Sequence, residues 1–321
     1  MDLPVFNSGQ IIAQRPAKNR VSPDRPYAWM IEPECDSQRH LQHVVTLLLT
    51  GSECRFRCTM CDLWKNTLDE ATPVGGIPRQ IAFALNDLGV DPQHPSAAGV
   101  SAVKLYNSSN FFDKRAVPFE DWPAICELVQ NFETVVVENH PALNGESVFK
   151  FQALLPGQLE VAMGLETIHP AVLPWLNKQM TLSQYRQAVD RLVQRNVRVR
   201  TFILVKPPSL NETEGVDWAI RSIEYAFDCG VECCSMVPVR AGNGTMDQLK
   251  HDGFFEPPEI TSLERVLEAG LQMGHGRVFM DLWDSQLFGG CYACREQRLK
   301  RLAKMNQTQL LEKKVRCDVC R

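Results

Sequence analysis

The sequence predicts an α/β fold: a partial (β/α)6-type TIM barrel with a small four-cysteine metal-binding appendage at its carboxyl end. Three observations carry this expectation. Short β-branched or apolar runs alternate with helically spaced stretches along most of the chain, which is the pattern of βαβ units joined by right-handed crossovers into a parallel sheet. No G-x-G-x-x-G turn accompanies these units, and its absence favours a barrel over a dinucleotide-binding fold. Two C-x2-C pairs close the chain, the spacing of a tetrathiolate metal site. Periodicity alone does not separate a barrel from an open sheet. In either architecture, function sits at the carboxyl ends of the strands.

Residues 1 to about 40 are rich in Pro, Arg and Asp without an apolar period, so an irregular arm is expected there. The strands follow as VVTLLLT (44–50), GVSAVKLY (99–106), TVVVENH (134–140), LEVAMGL (159–165), VRVRTFILV (197–205) and VECCSMVPV (231–239), with GRVFMDLW as a weaker seventh. Between them RQIAFALNDLG, FEDWPAICELVQNF, LSQYRQAVDRLVQRN, VDWAIRSIEYAFDCG and ITSLERVLEAGLQMG have helical spacing. These elements make residues 41–285 the barrel and leave 286–321 as the four-cysteine tail.

A chain of 321 residues, 44% apolar and 22% charged, has the size for one large core with a small appendage. No run approaches the length of a membrane span, and the start MDLPVFNSGQ lacks the basic flank and apolar stretch of a signal peptide. The expected location is the cytoplasm, with no membrane partner. Seven of the twelve cysteines fall in clusters spaced for metal ligation, which fits a reducing compartment better than a disulfide framework. The other five, Cys35, Cys126, Cys229, Cys233 and Cys234, read as small buried core residues. The net charge of -4 hides an asymmetry: from Arg295 to Arg321 nine Lys and Arg face three Asp and Glu. A uniformly basic nucleic-acid-binding body is thereby excluded, and the tail is the phosphate-seeking candidate.

Directly after the first barrel strand comes Gly51-Ser-Glu-Cys54-Arg-Phe-Arg-Cys58-Thr-Met-Cys61, a C-x3-C-x2-C loop. A [4Fe-4S] cluster normally takes four cysteines, so three thiolates would leave one iron open to another ligand. The competing reading is a zinc site completed by His43 or His94, but zinc sites usually pair their ligands as C-x2-C and close all four positions.

This loop, in this place, resembles the radical S-adenosylmethionine (radical SAM) superfamily over residues 41 to 285. CTMCDLW, VAMGLETIHPAVLPWLNKQMT and FILVKPPSLNETEGVDWAIRSIEYA look like the branch of the archaeosine synthase radical subunit and, more distantly, the elongator catalytic subunit, both of which act on transfer RNA. The resemblance implies that the open iron chelates S-adenosylmethionine, which is cleaved reductively to a 5′-deoxyadenosyl radical. It also implies a low-potential electron donor such as flavodoxin or ferredoxin, and a possible RNA substrate. Where the family often has an aromatic before the third cysteine, this chain has Met60, whose thioether can pack on adenine. Asn107, Ser108 and Ser109 stand where the family's Gly-rich turn receives the methionine amino group. Glu138 and His140 look like cofactor contacts, Glu166 a cofactor or substrate contact, and Lys206 or Arg200 a counter-charge for the cofactor carboxylate. The ordinary alternative for each is a polar strand-end turn or a helix cap. The loop AGNGT (241–245) has small residues suited to close approach of adenine or ribose.

In the tail, Cys291-Tyr-Ala-Cys294 and Cys317-Asp-Val-Cys320 enclose 22 residues. Zinc is the expected occupant and a second iron-sulfur cluster the alternative. The stretch between reads as a helix with Leu299, Leu302 and Leu310 on or near one face, its basic residues either meeting RNA phosphates or forming a solvated face. Two other functions remain open on sequence: a radical SAM enzyme acting on a small metabolite or peptide, and a zinc-dependent RNA-binding protein without redox chemistry.

Overall fold

The computed structural model describes residues 3–320. In chain order its strands are β1 (Ala28–Cys35), β2 (Leu41–Leu48), β3 (Val100–Tyr106), β4 (Thr134–Glu138), β5 (Gln158–Glu166), β6 (Arg198–Val205), β7 (Cys233–Pro238) and β8 (Arg277–Met280). Its helices are α1 (Ser8–Ala13), α2 (Gly76–Asp87), α3 (Trp122–Val129), α4 (Glu146–Gln152), α5 (Val172–Trp175), α6 (Leu182–Val193), α7 (Glu212–Asp228), α8 (Thr245–His251), α9 (Ile260–Met273) and α10 (Arg295–Thr308). The eight strands form one sheet in sequential order, with β2 to β8 parallel and β1 antiparallel on the edge beside β2. All seven expected strands are present, as are the five expected helices. Their boundaries have local causes: α6 and α7 open on capping boxes, Thr181 with Gln184 and Asn211 with Glu214.

Side-chain reach shows that the sheet curls into a half-barrel. Arg200 on β6 contacts Glu34 on β1 at 2.5 Å, although a flat sheet would hold these strands about 24 Å apart at ~4.8 Å per strand. Arg277 on β8 also reaches Glu34, at 3.3 Å. The barrel floor is an ion network in which Arg200 pairs with Glu160 at 2.6 Å, Arg277 with Glu160 at 2.9 Å, and Lys104 with Glu34 at 2.6 Å. The apolar core lies outside this lumen, between the strands and the helices, and includes Leu47, Leu105, Val161, Ile203, Ile81, Val189 and Leu263. Cys35, Cys126, Cys229, Cys233 and Cys234 are buried, as expected.

The amino-terminal region is not an irregular arm throughout, for it contains α1 and β1. The strand escaped notice because its polarity is inverted. Ile31 is 37% exposed, whereas Glu34 is buried, and Glu32 and Glu34 meet Lys104 in the lumen. Pro33 is tolerated because β1 is an edge strand.

The helix of the four-cysteine appendage packs on the barrel. Leu302 and Met305 join the main core, and α10 packs against both β1 and β8. The helix ends at Gln309, which has a left-handed φ of 53°, so Leu310 falls beyond it and is 59% exposed. Gln309 Nε2 donates to Val278 O (2.9 Å) and its Oε1 accepts from Val278 N (2.8 Å). Asn306 treats Met280 in the same way, at 2.8 and 2.9 Å. Two side-chain amides thus stand in for a ninth strand along the outer edge of β8. No helix among the described residues is long and apolar enough to cross a membrane.

Candidate active site and metal centre

The cysteine loop leaves β2 at the carboxyl mouth of the barrel and is tied down from four other strand ends. After β3, Asn110 Nδ2 donates to Cys54 Sγ at 3.1 Å. After β4, the His140 ring stacks on Phe56 with centroids 3.7 Å apart. After β5, Asn177 Nδ2 donates to Arg57 O (2.7 Å) and Thr59 N donates to Leu176 O (2.9 Å), bracketing Cys58 from both sides. After β7, Asn243 Nδ2 donates to Thr59 O (2.8 Å) and Cys61 O (3.1 Å). The amino-terminal region closes over the loop through Arg15 and Lys18, which pair with Glu53 at 2.7 and 2.9 Å. Burial raises all three thiols, Cys58 to about 12.

Of the expected cofactor contacts, Asn107, Ser108 and Ser109 form the turn beside this loop. Ser108 has a left-handed φ of 54°, and its hydroxyl meets the Tyr27 hydroxyl at 2.8 Å. Asn107 is fully buried, and both polar atoms of its side-chain amide, like Ser109 Oγ, lack a hydrogen-bond partner. Unpartnered buried amides are costly, so the turn retains hydrogen-bonding capacity for a ligand. Glu138 underpins it: the carboxylate accepts from Asn107 N at 2.6 Å. Burial raises Glu138 to about 7, against the lowering by the backbone amides of Asn107, Ser108 and Ser109.

His140 Nδ1 accepts from Ala142 N at 3.1 Å, which leaves Nε2 as the donor to Lys178 O at 3.0 Å. Burial, with Lys178 nearby, lowers its pKa to about 3, so the ring is neutral. Glu166 sits at a bulge in β5 with a φ of 66° and pairs with Lys178 Nζ at 2.7 Å. Burial alone would lower Lys178, but Glu166 and the adjacent Cys58 more than offset it and hold the ammonium above the usual lysine value.

Other expected contacts are committed elsewhere. Lys206 Nζ pairs with Glu212 on α7 at 2.5 Å, and Arg200 belongs to the barrel floor. Met60 packs against the second apolar cluster, which contains Trp175, Leu176 and Met246. In AGNGT the close approach is to the protein itself: a Cβ on Gly244 would lie 2.0 Å from Gln14 O.

Sequence reasoning missed Tyr27, Asn110, Lys178 and Asn243. Lys178 and Asn243 stand inside segments quoted above, LNKQMT and AGNGT, and Asn110 directly follows the Asn107–Ser109 turn. Tyr27 had no signal, because β1 itself was not recognised.

At the tail, the sulfurs of Cys291, Cys294, Cys317 and Cys320 all lie within 4.8 Å of one another. Cys291 is 3.9 Å from Cys317, and Cys294 is 3.6 Å from Cys320. A tetrahedron with Zn–S bonds of about 2.3 Å has edges of about 3.8 Å, so the four thiols have single-ion spacing. The basic residues between the pairs are largely answered by acids: Arg301 by Glu264 (3.0 Å) and Glu268 (2.6 Å), Lys300 by Glu296 (2.6 Å), and Lys304 by Glu312 (2.8 Å).

No family model matches the chain. Archaeosine synthase subunit beta of Thermococcus kodakarensis is 31% identical over 176 residues, 53% of this chain and 54% of that one. The subunit of the same name from Methanosarcina acetivorans is 24% identical over 238 residues, 70% of this chain and 65% of that one. This chain is similar to archaeosine synthase subunit beta. It is also 21% identical over 269 residues to an uncharacterized protein of Methanocaldococcus jannaschii, covering 80% of this chain and 73% of that one. Among solved structures, the archaeal Elp3 of Methanocaldococcus infernus shares the fold, with a TM-score of 0.51 at 14% identity over 71% of this chain and 58% of that one. The resemblance to the archaeosine synthase branch is borne out by these similarities, and the Elp3 likeness bears out the fold. The chain spans 54% and 65% of the two archaeosine synthase beta subunits.

Proposed function

We propose that Cys54, Cys58 and Cys61 hold a [4Fe-4S] cluster whose fourth iron binds S-adenosylmethionine, and that the chain uses it to abstract hydrogen from its substrate. The observation that carries this reading is the three-cysteine loop fixed at the carboxyl mouth beside a turn with a buried, unpartnered Asn107 amide. When bound, the cluster would supply the electron that cleaves the cofactor to a 5′-deoxyadenosyl radical. The protein's part is to hold and to orient. Thiols raised by burial stay protonated near neutral pH unless a metal displaces the proton, so the loop suits a permanent metal centre better than a free nucleophile. Asn107, Ser108 and Ser109 would receive the methionine ammonium, with Glu138 fixing the turn from beneath. Glu166 and His140 would act through Lys178 and Phe56 rather than on the cofactor.

A transfer RNA substrate and a flavodoxin or ferredoxin electron donor are what the sequence resemblance implies, and the similarity to archaeosine synthase subunit beta supports that branch. One observation favours a small metabolite or peptide instead: the tail's cations are mostly neutralised, leaving Lys313 and Arg316 exposed without an ion pair among the described residues. Activity that falls steeply with salt supports the RNA, and salt-insensitive activity the small substrate. Zinc suits the tail, and twelve free cysteines suit the cytoplasm.

Anaerobically purified protein is expected to hold about four irons and four sulfides and one zinc, with an EPR signal that changes on adding S-adenosylmethionine after reduction. Zinc in both cysteine sets and no iron after reconstitution would refute the reading. Zinc removal from the tail, by Cys317→Ser or by chelation, is expected to lower the melting temperature markedly, because α10 carries core residues. An unchanged melting curve with the zinc gone would show the tail to be expendable.

A further inference from the structure

We propose that the buried Glu166–Lys178 ion pair tunes the reduction potential of the cluster on the cysteine loop, with the Lys178 ammonium favouring the reduced state. The inference rests on the cluster reading above. Its starting point is where the chain puts Lys178. The two residues before it are bonded to the cysteine loop on either side of Cys58, Asn177 Nδ2 to Arg57 O at 2.7 Å and Leu176 O to Thr59 N at 2.9 Å. The Lys178 carbonyl is fixed by His140 Nε2 at 3.0 Å, and that ring is stacked on Phe56 of the same loop. The ammonium is held by Glu166 Oε1 at 2.7 Å, and each side chain of the pair is only 8% exposed.

The pair is built at a cost that stability does not explain. Buried ion pairs are poor stabilisers compared with apolar packing. This one also requires a left-handed, non-glycine Glu166 (φ 66°) at a β-bulge. It requires Gly164 as well, where a Cβ would lie 1.9 Å from Glu166 Oε1 and 2.6 Å from Lys178 Nζ. Strain of this kind collects at functional sites. The competing cations are differently placed. Arg55 and Arg57 belong to the loop itself, but their side chains are 57% and 22% exposed and so are screened by water. Arg200 and Lys206 are paired elsewhere.

The charge argument has a definite sign. Reduction adds one electron to the cluster, taken from the external reductant, and breaks no bond. A nearby ammonium stabilises the added negative charge and a nearby carboxylate opposes it, in a site where low polarity leaves both weakly screened. Both charges act on Cys58, with opposite signs and Lys178 the more strongly, so removing one or the other should move the potential in opposite directions. A purely structural pair would give losses of the same sign.

The test is an EPR-monitored redox titration, with dithionite as reductant, on the full reconstituted chain, with iron and sulfide counted for each variant. At the wild-type midpoint, Lys178→Met is expected to lower the reduced-to-oxidised ratio about tenfold, equivalent to about 59 mV for a one-electron couple. Glu166→Gln is expected to raise the ratio, and Lys178→Arg to keep it near wild type. Should Lys178→Met lose its cluster, the rise in Glu166→Gln and the retention in Lys178→Arg still decide the matter. Shifts of one sign, or none, in variants with full iron would overturn the tuning role and leave the cluster reading standing. Wild-type protein that binds no iron would overturn both.

Discussion

Cys58→Ala is expected to produce a folded chain that retains almost no iron and makes no 5′-deoxyadenosine from S-adenosylmethionine. Cys58 is the middle cysteine of the loop, and its neighbours Arg57 and Thr59 are pinned by Asn177 and Leu176. Those backbone bonds do not involve the sulfur, so the loop should keep its course when the thiol is removed. Two thiolates are too few to hold a cluster that normally takes four ligands. The effect should therefore be total for the chemistry and small for the fold. Circular dichroism and melting temperature close to those of wild type, with iron and product at background, would meet the expectation. Sustained product formation by Cys58→Ala would remove the cluster from this loop.

The largest effect on stability should come from Arg200→Met. Its guanidinium joins Glu34 at 2.5 Å and Glu160 at 2.6 Å, with every partner buried. Removing it leaves carboxylates facing one another with only Arg277 and Lys104 to answer them, a loss of about 3–5 kcal/mol for breaking a buried network. The pH dependence has a fixed direction. Despite burial, which acts to raise them, Arg200 and its fellow cations hold Glu34 and Glu160 below the ordinary glutamate value. The stabilisation is thus fully present above about pH 4.3, the ordinary glutamate pKa, and is lost as the pH falls further. Denaturant melts of wild type and variant should differ most at neutral pH and converge in acid. A gap that stays constant with pH would show that Arg200 acts by packing alone.

The fold was legible where apolar periodicity and burial agree, as in β4 (TVVVE) and in the amphipathic α6 and α7. It was illegible where the interior is charged. β1 carries its acids inward, so its hydropathy gives no alternation to read, and an antiparallel edge strand went unseen. The tail was legible as a helix with an apolar face, and Leu302 and Met305 do seal the core, but Leu310, read on or near that face, lies beyond the helix end and is exposed. In the site, the cysteines announced themselves by spacing. The groups that position them did not, because Asn110, Asn243 and Lys178 act through single hydrogen bonds or one ion pair that become visible only when distant loops are brought together. Glu138 and His140 were singled out from sequence, yet the structure gives them supporting contacts, to the 107–109 turn and to Phe56 and Lys178.

The paired amides of Asn306 and Gln309 along β8 have a consequence for how the protein behaves when the tail fails. An uncovered parallel strand offers its backbone groups to any other chain, and edge-to-edge pairing is a common start of aggregation. Here the cover is a helix whose lower end is fastened by four cysteines. Metal loss or oxidation of these thiols would therefore do more than loosen a domain. It would expose a sticky seam, so light scattering should rise in metal-stripped protein at temperatures where the barrel is still folded.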